Sequence, residues 1–268
     1  MKVLVTGSSG FIGRNLVERM RIEKLNVVTF DIADRKDEDV RNFERLLEKS
    51  RGCDIIVHLA ALCKDKESVE KPHEYFSTNI LGTLNALEVA RRLKVKKFLF
   101  ASSAGIGKRT PYSLSKLVGE ELCMFYFKNY SVPAYILRIY NVYGPGNRKG
   151  VIYSFIKNAI EGKPITINFD GKQERDFIYI DDVVKSIILL IKKPYRPGIY
   201  EIGTGKSVKI INLAKLILSM ADRRVEIKFE RPSIKEIRKS RAKKPFLKEY
   251  ISLEDGLKEV IKWMQSQL

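Results

Sequence analysis

The sequence has few of the residues that build disulfide frameworks and metal sites. Its 268 residues include 3 cysteines (Cys53, Cys63 and Cys123) and 2 histidines. The cysteines form no CxxC pair and are too few and too far apart for a disulfide framework, so we expect reduced structural thiols. No Cys/His metal site is predicted, because so few ligands of this kind are present.

Long apolar runs are also missing. No stretch approaches the ~20 apolar residues that a membrane-spanning helix needs. The segment Met1–Gly7 leads directly into a predicted strand and lacks the charged head, apolar stretch and cleavage site of a signal peptide. We therefore expect a cytoplasmic protein with no membrane partner. Hydrophobic residues still make up 44% of the chain, which is enough for a core and excludes disorder of the whole chain.

Acidic residues are outnumbered by basic ones. The chain has 32 Asp and Glu against 50 Lys and Arg, and its net charge is +18. Such a charge permits attraction to nucleic acid, and the densest basic run extends from Lys235 to Lys248. That run lacks the interleaved aromatic residues of a surface that binds nucleic acid strands. We interpret the charge as a lysine-rich surface with ion-pair networks, and we do not expect a nucleic acid partner.

Strand and helix signals alternate along the chain. The apolar runs Ile55–Val57, Phe98–Phe100 and Ile136–Leu137 do not alternate with polar residues, which is typical of strands buried on both faces of a parallel sheet. The predicted fold class is α/β, a doubly wound parallel sheet (Rossmann) with a smaller mixed α/β lobe. The larger domain is predicted over 1–147 plus 171–194, and the lobe over 148–170 plus 195–268. Long helices are predicted over Pro72–Leu93 and Pro111–Asn129, and a strand over Ala134–Tyr143.

Three glycines follow the first predicted strand, at spacing i, i+3, i+6, in Gly7-Ser8-Ser9-Gly10-Phe11-Ile12-Gly13. They allow a tight turn, close approach of backbone to a pyrophosphate, and close packing of the next helix on the strand. The helix N-terminus then offers N–H groups to the phosphates. Asp31 ends the following strand, where a carboxylate accepts hydrogen bonds from ribose hydroxyls and repels a 2′-phosphate. The pattern predicts a dinucleotide site for NAD rather than NADP.

A second motif carries the chemistry. Tyr112 and Lys116 form Y-x-x-x-K at the start of a predicted helix, so both side chains lie on one face. An ammonium beside the phenol, together with a cationic nicotinamide, would lower its pKa from ~10. Ser103 closes the preceding strand and could hydrogen-bond the same reacting oxygen. Such a pair alone carries little weight; after a dinucleotide fingerprint it predicts Ser103, Tyr112 and Lys116 as catalytic residues.

With these motifs in place, the chain resembles the extended short-chain dehydrogenase/reductases. Within them it resembles the nucleotide-sugar epimerase/dehydratase family, and is closest in motif to UDP-glucose 4-epimerase. The likeness covers nearly the whole chain. Beyond the motifs above it rests on Asp39–Asn42, His58–Ala61, Asn79, Ser102–Ala104, Leu137–Pro145 and Arg175–Val183.

The resemblance implies NAD as cofactor, a nucleotide-diphosphate sugar as substrate, and a homodimer through the helices Pro72–Leu93 and Pro111–Asn129. The larger domain would bind NAD and the lobe the substrate. The implied cofactor site consists of Gly7, Gly10, Phe11, Ile12, Gly13, Asp31, Ile32, Asp39, Val40, Leu59, Ala60, Ala61, Asn79, Tyr112, Lys116 and Tyr140. The implied substrate site consists of Ser103 with Asn141, Arg175 and Arg231 at the diphosphate, where guanidinium groups pair well with phosphate oxygens. His58 is interpreted as a packed strand residue.

Two departures from the family pattern concern the sugar. Only eight residues separate Ser103 from Tyr112, where the family has a longer segment that helps to cover the sugar; the site is then more open, or closed by something else. The family's usual Gly-Asp-Gly reads Phe169-Asp170-Gly171 here, with a bulky ring where glycine is common. These changes leave the exact sugar open more than the reaction type.

The main functional hypothesis is NAD-dependent epimerisation by transient oxidation to a keto sugar. The Tyr112 phenolate would remove a hydroxyl proton while hydride moves to NAD, Lys116 would lower the pKa of Tyr112 and bind the nicotinamide ribose, and Ser103 would orient the oxygen. Alternatives are a nucleotide-sugar dehydratase or 4-keto-sugar reductase. A dehydratase would carry an Asp-Glu pair after Ser103, where Ala104-Gly105 stands. A non-catalytic dinucleotide-sensing protein, the third hypothesis, would have no need of the catalytic set.

Overall fold

A computed structural model describes residues 1–231 and 237–267. The strands are β1 (Lys2–Thr6), β2 (Asn26–Phe30), β3 (Ile55–His58), β4 (Lys97–Ser103), β5 (Ala134–Ile139), β6 (Asn141–Tyr143), β7 (Ile165–Asn168), β8 (Glu174–Tyr179), β9 (Gly198–Ile202), β10 (Ser207–Lys209), β11 (Ile227–Glu230) and β12 (Lys239–Ser240). The helices are α1 (Phe11–Ile22), α2 (Phe43–Ser50), α3 (Asp65–Glu70), α4 (Pro72–Phe76), α5 (Gly82–Arg92), α6 (Pro111–Tyr130), α7 (Gly150–Ile160), α8 (Ile180–Lys192), α9 (Ile210–Met220) and α10 (Leu253–Gln265).

The largest sheet confirms the predicted fold class. Its strand order is β2-β1-β3-β4-β5-β9, and β1 pairs in parallel with β2 and β3, β3 with β4, and β4 with β5. All four residues of β3 are buried, as are the five from Phe98 to Ser102 on β4. These strands are buried because helices cover both faces, as in other parallel sheets. The order reverses at β1, the mark of a doubly wound fold.

The remaining strands form a smaller, mixed set. β8 pairs antiparallel with β10 and parallel with β12 and β6, while β7 and β11 form a separate parallel pair. The chain divides into two compact units, Met1–Ile139 with Val184–Glu201, and Tyr140–Val183 with Ile202–Leu268. These bounds differ from the predicted domains. Residues 195–201 belong to the first unit because β9 extends the main sheet, and residues 171–183 to the second because β8 pairs with β6 and β10.

One lysine ties the start of β4 to the end of α8. The Nζ atom of Lys97 donates hydrogen bonds to the carbonyl oxygens of Leu190 (2.6 Å), Ile191 (3.1 Å) and Lys193 (2.6 Å). The last carbonyls of a helix have no partner within it, and a cation there also opposes the negative end of the helix dipole. Burial lowers the pKa of Lys97 from its ordinary value.

Three local features differ from the sequence-based expectations. The predicted helix Pro72–Leu93 is α4 and α5 joined by a π-helical turn, Ser77–Leu81. The predicted strand Ala134–Tyr143 breaks at Tyr140, whose N–H donates to the carbonyl of Ile202. The short helix α3 has no counterpart in the prediction.

The basic run begins outside the described residues, at Lys235. Within the described part, Arg238 pairs with Asp170 at 2.9 Å and Lys239 with Glu174 at 2.9 Å. No helix in residues 1–231 and 237–267 combines the length and apolar character needed to cross a bilayer. The same residues contain no group of three or more His, Cys, Asp or Glu side chains placed to hold a metal ion.

Candidate active site

The loop after β1 depends on glycine at two positions. Gly7 has a φ of +70°, and a Cβ atom there would lie 2.6 Å from the backbone nitrogen of Ala60. A Cβ atom on Gly13 would lie 2.1 Å from the carbonyl oxygen of Gly7. Gly10 is the N-cap of α1 and gives no side-chain hydrogen bond to its first turn. The N–H groups of that turn therefore lack a capping side chain, which suits a phosphate; they belong to Phe11, Ile12 and Gly13.

Asp31 lies against this loop. Its Oδ2 accepts a hydrogen bond from the N–H of Ser9 at 2.9 Å, and its Oδ1 accepts one from the N–H of Ala33 at 2.8 Å. The buried Glu38 accepts from the N–H of Asp31 at 3.3 Å and from Lys49 Nζ at 2.7 Å. The half-buried Asp31 carboxylate is thus fixed beside the glycine loop, where the ribose of a dinucleotide would meet it. Ile32, the next residue, is exposed.

The segment Asp39–Val40 is held from two sides. The hydrogen bonds of Arg41 to the Asp39 carboxylate hold the pKa of Asp39 below its ordinary value. Val40 is buried, its carbonyl accepts from Asn85 Nδ2 at 3.0 Å, and a Cβ on Gly82 would lie 2.6 Å from its Cγ2. The start of α5 therefore fixes the backbone at this point.

Asn79, in the π-helical turn, joins three parts of the site. Its Oδ1 accepts from the N–H of Leu62, and its Nδ2 donates to the carbonyl of Leu62 and to Ser115 Oγ, all at 2.9 Å. The segment after β3 is therefore fastened to α6. Leu59, Ala60 and Ala61 on that segment are partly exposed. π-helical turns are rare in proteins, and those that occur are often found at functional sites.

His58 is packed, as the sequence analysis expects. Its ring nitrogens lie 2.8 Å from Thr6 Oγ1 and 3.2 Å from Thr83 Oγ1. Burial, with a smaller contribution from the charge of Lys116, lowers the pKa of His58 to about 3. The imidazole is therefore neutral at physiological pH.

The predicted catalytic residues meet between β4 and the first turns of α6. Ser103 lies close enough to the Tyr112 hydroxyl to lower its pKa, and Ser103 Oγ accepts a hydrogen bond from the N–H of Gly105 at 3.0 Å. The Nζ atom of Lys116 donates to the carbonyl of Ala101 at 2.8 Å, and lies 5.0 Å from the centre of the Phe100 ring. Both contacts lie within the first unit, and Ser103 ends β4 at the carboxyl edge of the sheet.

One turn further along α6 than Lys116, Glu120 also contacts the main sheet. Glu120 is buried, and its Oε1 accepts from Ser102 Oγ at 2.5 Å and from Arg138 Nε at 2.9 Å. Its Oε2 accepts from Arg138 Nη2 at 2.6 Å. The sequence analysis did not identify Glu120, although its spacing of four residues from Lys116 places it on the same helical face. Glu120 fixes the position of α6 against β4 and β5.

The protein environment acts on the phenol in the direction opposite to the sequence-based expectation. Burial raises the pKa of Tyr112 well above its ordinary value, and the hydrogen bond from Ser103 lowers it by a smaller amount. Burial also lowers the pKa of Lys116 to about 8. A buried phenolate and a buried ammonium are each costly alone, so the phenolate is favoured by a nearby cation and the ammonium by a nearby anion.

Asp65, which the sequence analysis also missed, lies near Tyr112. Its Oδ2 accepts from Lys108 Nζ at 2.6 Å and its Oδ1 from Thr110 Oγ1 at 2.8 Å. Thr110 is the N-cap of α6, and its hydroxyl accepts from the N–H of Ser113 at 3.2 Å. The short connection between Ser103 and Tyr112 is therefore tied to α3. No local sequence pattern predicts this contact, because it joins residues that are far apart in the sequence.

The residues implied for the diphosphate lie in the second unit. Asn141 Nδ2 donates to the carbonyl of Asp176 at 2.8 Å, and Arg175 Nη1 donates to the carbonyls of Glu174 (2.9 Å) and Ile237 (2.7 Å). Arg175 is 9% exposed, whereas Arg231 is exposed. Tyr140 packs on Gly203, where a Cβ would lie 2.7 Å from its ring.

Asp176 organises the same unit. It is fully buried, and its carboxylate accepts from the N–H and the hydroxyl of Thr204, and from the N–H groups of Gly205 and Ala242, at 2.6–3.1 Å. Four donors satisfy the buried charge, as such a burial requires. Asp176 thereby holds its neighbour Arg175 at a fixed place on β8.

Phe169 occupies a conformation that usually requires glycine. Its φ is +59° and its side chain is 38% exposed. A bulky residue in the left-handed region is a genuine outlier, because its Cβ approaches the following carbonyl.

The parallel sheet, the glycine loop after β1 and the Tyr-Lys pair on α6 define a protein of the short-chain dehydrogenase/reductase class. The chain belongs to the NAD dependent epimerase/dehydratase family, whose model matches residues 3–203. NAD is accordingly its cofactor, and the steric demands at Gly7 and Gly13 and the placement of Asp31 fit that group.

Several proteins are similar to this chain over nearly their whole length. The chain is 31% identical to a protein of Methanocaldococcus jannaschii described as a putative UDP-glucose 4-epimerase, with 98% of each chain covered. The structure of Thermotoga maritima UDP-glucose 4-epimerase with UDP-glucose has a TM-score of 0.90 at 26% identity, covering 100% of this chain and 99% of that one. The structure of Bacillus cereus UDP-glucuronic acid 4-epimerase with UDP-glucuronic acid and NAD has a TM-score of 0.88 at 26% identity, with 100% of both chains covered.

Proposed function

We propose that the protein is an NAD-dependent 4-epimerase of UDP-hexoses. The observation that carries the proposal is the position of the Tyr112 hydroxyl next to Ser103 at the carboxyl edge of β4. The buried Lys116 lies one helical turn away on α6. Family membership, and relatives that act on UDP-glucose and UDP-glucuronate, support this substrate class.

Each member of the trio has a role in this reaction. Ser103 donates a hydrogen bond to the sugar oxygen that loses and regains its proton, and Tyr112 takes that proton as general base and later returns it. Lys116 supplies the positive charge that favours the phenolate, since burial alone raises the pKa of Tyr112. When bound, NAD supplies the hydride acceptor, and then the donor, that epimerisation through a keto sugar requires.

The binding residues divide between the two units. In the first unit, the glycine loop would take the pyrophosphate of NAD, Asp31 its ribose, and Asp39–Val40 and Leu59–Ala61 the adenine side. In the second unit, Asn141, Arg175 and Arg231 would bind the diphosphate of the sugar nucleotide, because amide and guanidinium groups donate well to phosphate oxygens. The segment Ala104–Gly105 offers no carboxylate, which disfavours the dehydratase alternative.

The test is to incubate the purified enzyme with UDP-glucose and with UDP-glucuronate and to follow the sugar signals by NMR. We expect interconversion of the 4-epimers without net consumption of NADH. Tyr112→Phe should lose at least ~100-fold in kcat while its NAD content stays unchanged. Tyr195→Phe, at an exposed tyrosine outside α6, is the matched control. Stoichiometric oxidation of NADH would instead identify a keto-sugar reductase.

We further propose that two copies pair through α6 and the helices before it. The buried face of α6 carries the polar side chains of Ser113, Lys116 and Glu120, while most of its exposed side chains are apolar. The exposed apolar side chains on α6 and on the adjoining turn are Leu81, Leu114, Leu117, Met124, Phe125, Phe127 and Tyr130, each 37–51% exposed. A contiguous group of exposed apolar side chains of this kind marks an interaction surface.

Sedimentation should give twice the monomer mass of 30.8 kDa. Phe125→Glu should give a monomer, whereas a wild-type monomer at micromolar concentration would contradict the pairing. The predicted cytoplasmic location stays a prediction.

A further inference from the structure

The connection between β4 and α6 is short, and a single carboxylate holds both its middle and its end. Asp65 accepts from Lys108 Nζ at 2.6 Å in the middle of the connection and from Thr110 Oγ1 at 2.8 Å at its end. Lys108 and Asp65 are 22% and 28% exposed, and Thr110 is buried. The ion pair is therefore partly shielded from solvent, where such a contact is stronger than on an open surface.

Asp65 is itself held in place. It is the first residue of α3, its carbonyl accepts from Ser68 Oγ at 2.6 Å, and the N–H of its neighbour Lys64 donates to the hydroxyl of the buried Tyr75 at 3.0 Å. A carboxylate in the first helical turn is also favoured by the helix dipole. The carboxylate thus stands on a fixed support that reaches α4.

On the other side of the contact lies the first turn of α6. Thr110 caps this helix through the reciprocal hydrogen bonds with Ser113, and the Ser113 hydroxyl also donates to the carbonyl of Lys108. Tyr112 is the second residue of the helix. A shift of the cap by a fraction of an ångström therefore moves the phenol relative to Ser103 on β4.

We propose that Asp65 is a positioning residue for catalysis: with Lys108 and Thr110 it forms a clasp that joins the segment after β3 to the segment after β4 and fixes Tyr112 against Ser103. This inference rests on the proposed epimerase function for its catalytic consequence, though not for its geometry.

The clasp also has an electrostatic consequence. The groups that act on the phenol are the Ser103 hydroxyl on β4, Cys63 and Asp65 on the segment after β3, and Tyr75 on α4; Lys116 lies one turn away on α6. The negative charge of Asp65 raises the pKa of Tyr112. The Lys108 ammonium is paired with Asp65 at 2.6 Å, so we expect it to oppose that effect. Removing either charge alone should therefore shift the pKa of the phenol in opposite directions.

The experiment compares holoenzymes of Asp65→Asn, Lys108→Met and Asp65→Ala, with Glu70→Ala as control. Glu70 is an exposed carboxylate on the same short helix. The rate of a base-catalysed reaction rises with pH through the pKa of the base. We expect Asp65→Asn to move the acidic limb of the kcat profile to lower pH, and Lys108→Met to move it to higher pH, each by roughly half to one pH unit.

Asp65→Ala breaks both contacts and should lower kcat by roughly 10-fold or more, with little change in KM. Shifts of the two charge variants in the same direction, or a profile identical to that of Glu70→Ala, would overturn the proposal.

Amide hydrogen exchange keeps the test independent of turnover. In Asp65→Ala, the amides of Ser113 and Leu114 should exchange faster than in Glu70→Ala, because the cap of α6 is loosened. If the wild type epimerises no sugar nucleotide, the proposed function fails and exchange alone decides on the clasp. Unchanged exchange at these amides would refute the clasp whatever the activity.

Discussion

Replacing Glu120 by alanine leaves two polar partners without their acceptor. The carboxylate is 2% exposed and receives one hydrogen bond from Ser102 and three from Arg138. Removing one member of a buried ion pair costs about 3–5 kcal/mol. Arg138 is 30% exposed, so water recovers part of that loss, while the buried Ser102 hydroxyl adds ~1 kcal/mol.

We expect the free energy of unfolding to fall by about 3 kcal/mol in Glu120→Ala, and by roughly 1–2 kcal/mol in Glu120→Gln, which keeps an acceptor oxygen but loses the charge. The measurement is urea unfolding with an unchanged m-value. Glu121→Ala, an exposed neighbour on the same helix, should stay within ~0.5 kcal/mol of wild type.

A double-mutant cycle of Glu120→Gln with Arg138→Met isolates the ion pair itself, and we expect a coupling of at least ~1 kcal/mol. A loss below ~1 kcal/mol in Glu120→Ala, or additive single variants, would refute the view that this pair anchors α6.

Two further predictions concern backbone strain and a buried base. Phe169→Gly should stabilise the protein by roughly 0.5–1 kcal/mol, because relief of the left-handed conformation exceeds the entropy cost of glycine. Asn168→Gly should destabilise it, because Asn168 has a negative φ. Equal changes in the free energy of unfolding in urea for the two variants would contradict the strain at Phe169. The pKa of His58 is lowered to about 3, so the unfolded chain binds a proton that the folded protein does not, and stability falls as pH drops from ~6.5 towards 3. The unfolding free energy of His58→Gln should therefore depend less steeply on pH between 6.5 and 4 than that of wild type, whereas His73→Gln, at the exposed histidine, should follow wild type.

The central strands and the glycine loop could be predicted because their signals are local. Apolar runs such as Ile55–Val57 can be satisfied only by burial on both faces, and the glycine spacing has few structural solutions. The place of β9 could not be read in this way. Only Ile202 of its five residues is buried, and they carry no pattern that distinguishes an edge strand of the main sheet from a strand of the lobe.

The candidate site shows the same division. Ser103, Tyr112 and Lys116 belong to a spacing that a helix and a strand end impose. Glu120 and Asp65 depend on contacts across 18 and 45 residues of sequence, and an isolated acidic residue looks like any surface charge. The direction of the Tyr112 pKa shift depends on how completely its surroundings exclude water, which spacing does not encode.

The first unit is built from two separate segments of the chain, which affects how it can fold during synthesis. The segment Val184–Glu201 completes that unit. Lys97 can form its hydrogen bonds only with carbonyl groups at the end of α8, which are synthesised 93–96 residues later. A nascent chain that has emerged only to Ile139 still lacks β9 and leaves the outer edge of β5 unpaired. The first unit can therefore finish folding only after the Tyr140–Val183 segment of the second has been synthesised, so translation order and assembly order differ.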